Sequence, residues 1–136
     1  MLNILTAIKS KFTGSALSTS VGGRIYLDEA PAKTPCPYVV YSIVSAVPEK
    51  TFTEEYRNIL LQLSLFSSSA GATEISTMYN DAKTLFDECS LAITGNSLVW
   101  MRENNLTTMT DDVTTTDGLQ RAKHWAVDYE ILTSLN

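Results

Sequence analysis

Cysteine is scarce in this sequence and histidine scarcer: Cys36, Cys89 and His124 are the whole supply in 136 residues. Two distant thiols cannot build a disulfide framework or a four-ligand zinc site, and they point to reduced cysteines in a cytoplasmic setting. Basic residues are also short, ten against fifteen acids for a net charge of −5. Such a chain repels a phosphate backbone, which excludes a nucleic-acid grip. Long apolar runs are missing too. A membrane-spanning helix needs roughly 20 consecutive apolar residues, and no run here comes near that. The opening MLNILTAIKSKF places its lysines after the apolar residues. A secretory signal has the reverse order, so this reads as mature sequence.

What is present is an ordinary apolar content of 44% on a length suited to one domain, which can bury a core without staples. Leu5, Ile8 and Phe12 recur at helical spacing, predicting a short amphipathic helix over about 2–12 that Gly14 ends. SALSTSVGG is small and polar, a flexible link with Leu17 and Val21 as anchors, and RIYL is a brief strand. Pro31, Pro35 and Pro37 then stiffen an arm that cannot be a central strand. YVVYSIVSAV follows with β-branched and aromatic residues on both sides, which predicts a strand covered on both faces. Pro48 and EKTFTEE read as a hairpin connection.

In YRNILLQLSLF, Ile59, Leu61, Leu63 and Leu65 alternate with polar residues, the pattern of a half-buried antiparallel strand. SSSAGATE leads into a helix capped by Gly71 or a nearby serine, with Glu74 in its first turn. Ile75, Met78, Tyr79, Ala82, Leu85 and Phe86 give that helix one apolar face. SLVWMRENNL is another strand, TTMTDDVTTTDG an exposed loop or hairpin tip, and LQRAKHWAVDYEIL a closing strand with Trp125, Val127, Tyr129 and Ile131 inward. This order predicts an α+β fold: one domain, a mainly antiparallel, mixed sheet with two α-helices packed on one face.

Templates for chemistry fail one after another. His124 is the one side chain suited to act as a general base at neutral pH, but the alternation turns it away from the core as an exposed spectator. Cys36, between two prolines, reads as a space-filler rather than an activated thiolate. Asp111 and Asp112 lack the further ligands and the turn glycine of a calcium loop and read as a solvated acidic stretch. Glu54 and Glu55 are adjacent, so in a strand they point to opposite faces and do not pair as acid and base. Gly22 and Gly23 precede a strand and lack the lysine of a phosphate loop. No catalytic, cofactor or metal residue is assigned, and function is expected to lie in surface and assembly.

The order of the pieces carries a resemblance. VGGRIYLDEAP followed by TPCPYVVYSIVS, a strand such as NILLQLSLFS, a helix, and a closing RAKHWAVDYEIL resemble the tail-completion, or tail-terminator, proteins of long-tailed bacteriophages and prophages. The resemblance spans nearly the whole chain, 1–136 as a single such domain with an exposed loop or hairpin at about 103–118. It implies a non-enzymatic virion protein without cofactors. Such a protein forms a ring of copies of itself, generally a hexamer, that caps the head-proximal end of the tail tube and stops its polymerisation.

The implied partners are the major tail tube protein and a head-completion or connector protein. DNA passes through the lumen without specific binding, and no membrane is involved. The arm prolines Pro31, Pro35 and Pro37 are then expected at a subunit boundary. Asp111, Asp112 and Asp117, with Glu54 and Glu55, are expected to line the lumen or contact the tube. The alternatives are a head–tail neck adaptor, a small enzyme using Cys36 or His124, and a monomeric binding module of the host.

Overall fold

The computed structural model describes residues 2–115 and 118–135. In chain order the elements are α1 (Leu2–Phe12), α2 (Ala16–Ser20), β1 (Ile25–Leu27), β2 (Tyr38–Lys50), β3 (Glu55–Ser67), α3 (Thr73–Phe86), β4 (Asn96–Thr115) and β5 (Gly118–Leu135). Among the described residues the strands form one five-stranded sheet in the order β1-β2-β3-β5-β4. The β1–β2 pair is parallel and the other pairs are antiparallel. The fold is α+β, as the alternation of strand and helix patterns predicts.

The core lies between one sheet face and the helices. Period-two alternation sends Ile59, Leu61, Leu63 and Leu65 of β3 and Val127, Tyr129 and Ile131 of β5 to that face, where all are fully buried. Helix α1 contributes Ile4, Ala7, Ile8 and Phe12, and α3 contributes Ile75, Met78, Ala82 and Phe86. Phe12 sits against Tyr41 and, edge-on, against Phe86, with ring centroids 5.2 and 5.1 Å away. Phe86 in turn lies 5.8 Å from Tyr129. Each large side chain removed from water here contributes about 1.5–3 kcal/mol, which makes this aromatic chain the joint between the layers.

Four local expectations change. The stretch SALSTS is helical rather than a flexible link, because Ser15 caps α2 by accepting a hydrogen bond from the Ser18 amide at 3.1 Å. Helix α3 starts after Ala72 without any side-chain cap. Pro48 lies inside β2, paired with Arg57, and not in the turn. A proline fits there because its missing N–H costs nothing on the unpaired side of an edge strand. Finally, β2 is not covered on both faces along its length. From Val44 to Lys50 it is exposed, and on its edge β1 pairs only with Val39–Tyr41.

Candidate functional site

One face of the sheet packs on helices, and the other is open. On the open face, side chains from four strands align in register: Tyr38 opposite Phe66, Phe66 opposite His124, and His124 opposite Met109. The Tyr38 and Phe66 rings stack at 4.6 Å, and Phe66 and His124 at 4.3 Å. His124 Nδ1 lies 2.6 Å from Asp111 Oδ2. Its side chain is 15% exposed. His124 therefore faces away from the core, as the alternation implies, but it is a mostly buried member of an aromatic ladder and not an exposed spectator. The ladder partner Phe66 comes from a distant strand and has no signature near His124 in the chain.

Below the ladder the open face carries amide–carboxylate pairs. Gln62 donates to Asp128 at 3.1 Å and Asn58 to Glu130 at 3.0 Å, while Arg102 approaches Glu130 at 3.9 Å. Asp128 and Glu130 thus join Asp111 on this face, where the alternation of β5 turns them away from the core. Asp112 is next to Asp111 in β4, so it points to the opposite face. There it lies 3.9 Å from Arg121, with both side chains exposed. The two aspartates cannot converge on one cation. Glu54 and Glu55 sit at the β2–β3 turn, at the other end of the sheet from Asp111, and Glu54 accepts a hydrogen bond from Tyr56. Asp117 lies outside the described residues.

The proline arm between β1 and β2 folds over the open face and encloses a cleft of about 530 Å³. Its walls include Ala30, Pro31, Lys33, Tyr38, Val40 and Phe66. The arm is tied at both ends. The Asp28 amide donates to the Tyr41 carbonyl at 2.9 Å, and Arg24 Nε donates to the Pro37 carbonyl at 3.0 Å. Within it, the Thr34 hydroxyl donates to the Pro31 carbonyl at 2.5 Å. Asp28 and Lys33 hold positive φ, 66° and 63°, conformations that side-chain-bearing residues adopt seldom and only where surrounding contacts hold them. Pro31 lines the cleft, whereas Pro35 and Pro37 flank Cys36 on the return to β2. Burial pushes the Cys36 thiol above its ordinary value, the wrong direction for a nucleophilic thiolate. Among the described residues no hydrogen bond joins Cys36 to His124.

The sheet's two outer edges differ. Beyond β1, strand β2 presents an unpaired edge from Ser42 to Lys50. On the far side, β4 is met by the turn after α3, where the Glu88 amide donates to the Met101 carbonyl at 2.8 Å and Asp87 accepts from the Glu103 amide at 3.0 Å. Among the described residues, β5 has no β3 partner past Lys123, which pairs with Ser67. Strands β4 and β5 therefore continue alone for five paired positions, Asp111–Ala122 to Thr115–Gly118. At about 3.4 Å per residue this ribbon projects about 17 Å.

Residues 6–134 match the family model described as tail completion protein gp17. No curated protein matches by sequence. Among solved structures, a chain of the virion of a native gene transfer agent particle superposes with a TM-score of 0.69 at 13% identity, covering 93% of this chain and 92% of that one. A second solved chain gives a TM-score of 0.48 at 12% identity over 93% and 94% of the two chains. At these identities the gene transfer agent chain is evidence for the fold.

Proposed function

Because the chain belongs to the tail completion protein gp17 family, structural proteins of the phage virion tail, we propose that it closes into a ring, sixfold, on the head-proximal end of the tail tube. There it ends tube polymerisation and offers the surface to which the head-completion or connector protein docks. The observation that carries this reading is the sheet with two unlike edges, an exposed β2 edge from Ser42 to Lys50 on the side of the proline arm and a projecting β4–β5 ribbon opposite. Unlike patches on opposite sides of a subunit pair head to tail. Head-to-tail contacts close into a ring when the rotation divides a full turn.

In this reading the open sheet face lines the passage. Its carboxylates Asp111, Asp128 and Glu130 keep phosphates off the wall, so DNA transits without sticking. Asp112, Glu54 and Glu55 belong to the rims that meet the tube and the head. Pro31, Pro35 and Pro37 stand at the subunit boundary, where a stiff arm loses little freedom on docking.

Deleting the gene from a phage that carries it, followed by electron microscopy of the particles, tests the proposal. Headless tails of uncontrolled length are expected. Unattached tails of normal length would instead indicate a neck adaptor, and attached tails of normal length would end the structural reading.

A further inference from the structure

His124 is the one histidine in the chain, and it sits where the sheet narrows. After its pairing with Phe66 comes a single further pair, Lys123 with Ser67, before β3 ends and β4 and β5 go on. At this step the stack of Tyr38, Phe66 and His124 joins β2, β3 and β5. Ala122 and Ala126 flank His124 on the same face of β5 and are 0% and 4% exposed, so the imidazole stands between two shielded positions.

The two ring nitrogens have unlike surroundings. Nδ1 lies 2.6 Å from a carboxylate oxygen of Asp111 and is therefore a donor, so the neutral ring carries its hydrogen there and a lone pair on Nε2. Nε2 is enclosed and has no hydrogen-bond partner among the described residues. A neutral ring leaves only that lone pair unpaired. A protonated ring leaves a charged N–H unpaired, and the penalty for enclosing such a group is larger. Asp111 pulls the other way, because a carboxylate favours a positive neighbour. Its side chain is 42% exposed, however, and it already accepts the Nδ1 hydrogen in the neutral state. Water screens what protonation adds to that pair, so the enclosed nitrogen outweighs it.

Among the described residues the other ionisable groups nearby stay neutral or face elsewhere. Met109 is the residue of β4 directly opposite His124, and β3 presents Phe66 and Ser64. From β2 comes Tyr38, whose phenol burial pushes up, with the Cys36 thiol close to it, pushed up by burial as well. Asp128, four positions along β5, is held by Gln62. Lys123 points to the helix side of the sheet. Asp28, Glu29 and Lys33 of the arm line the cleft, whose walls include Tyr38 and Phe66 but not His124.

We propose that His124 is an acid-released latch: neutral, it holds the start of the β4–β5 ribbon to the Tyr38–Phe66 stack, and protonated, it turns Nε2 out to water and leaves that stack. Release frees the Phe66 ring on one side and uncovers the β5 backbone beside Ala122.

The test is a titration of the full-length protein by NMR from about pH 8 to about pH 5, the range in which histidines change charge, with the His, Phe and Tyr rings labelled. A single histidine gives a single signal, so its protonation is read directly. The ring resonances of Phe66 and Tyr38 are expected to move with the same midpoint as His124. Below that midpoint the amide hydrogens of residues 121–126 should exchange roughly tenfold faster than above it, after correction for the pH dependence of exchange itself, with an unchanged circular dichroism spectrum. His124→Phe keeps a ring in the stack and should abolish the response. Asp111→Asn removes the group that favours a positive ring and should move the midpoint to lower pH. The latch is overturned by a His124 that titrates while the Phe66 and Tyr38 signals stay in place, or that stays neutral until the whole chain unfolds. A His124→Phe variant that still responds as the wild type does would trace the change to other groups and overturn it equally.

Discussion

Tyr79 and Tyr129 contrast two ways of keeping a phenol neutral. Tyr79 donates to Glu103 at 2.5 Å, and this bond, followed by burial, pushes its pKa up to about 12. Burial does the same to Tyr129, whose hydroxyl is enclosed with no hydrogen-bond partner among the described residues. For Tyr79 the folded state holds its proton between the ordinary tyrosine value near 10 and about 12, while the unfolded state releases it. Its contribution is therefore complete below pH 10 and is lost as the pH rises toward 12. Tyr79→Phe should cost about 1 kcal/mol at neutral pH and flatten the alkaline loss of stability, read by urea denaturation at several pH values. Tyr129→Phe should be neutral or stabilising by about 1 kcal/mol, because it removes a buried polar atom together with its desolvation penalty. Phe86→Ala, which takes out the ring joining Phe12 to Tyr129, should cost about 3–5 kcal/mol.

At the scale of elements, β3, β5 and α3 were legible in the chain because each buries one face along its length, so their periods appear intact in the order of residues. The second half of β2 was not. Its apolar residues have strand chemistry, but how far a neighbouring layer extends over a strand is a tertiary fact, and Val44 and Val47 end up 54% and 53% exposed. The ribbon residues were read as a loop or hairpin tip because they bury little, yet threonines suit an extended backbone, and β4 continues through them as far as Thr115. The arm prolines were visible, but the cleft they enclose was not, since it depends on Tyr38 and Phe66 meeting across two strands. Replacing Pro31 and Pro35 by glycine frees the unfolded and undocked arm, costing about 0.4–1 kcal/mol per site in the fold. Ring formation should weaken by more than that, compared by thermal melts and analytical ultracentrifugation. A ring as stable as that of the wild type would remove the arm from the subunit boundary.

The whole molecule has one face closed by helices and another that displays acids, and the proposed ring would turn the acidic face toward the DNA. At physiological salt a charge is felt over only about 8 Å, so DNA in transit senses the wall it passes and little of the outer surface. If the open face is the wall, Asp128→Lys with Glu130→Lys turns a repelling surface into a binding one. Both side chains sit at the surface of the sheet, and their amide partners Gln62 and Asn58 stay in place, so the fold should survive. Tails should then reach normal length and attach to heads, because neither edge of the sheet is altered. DNA release in vitro should slow by about tenfold at low salt and recover as salt is raised, since the attraction is screened. The control places the same charge change elsewhere, with Asp81→Lys, Thr77→Lys and Thr84→Lys on α3, on the helix side. Equal slowing by the control would mean that total charge, and not the open face, governs passage.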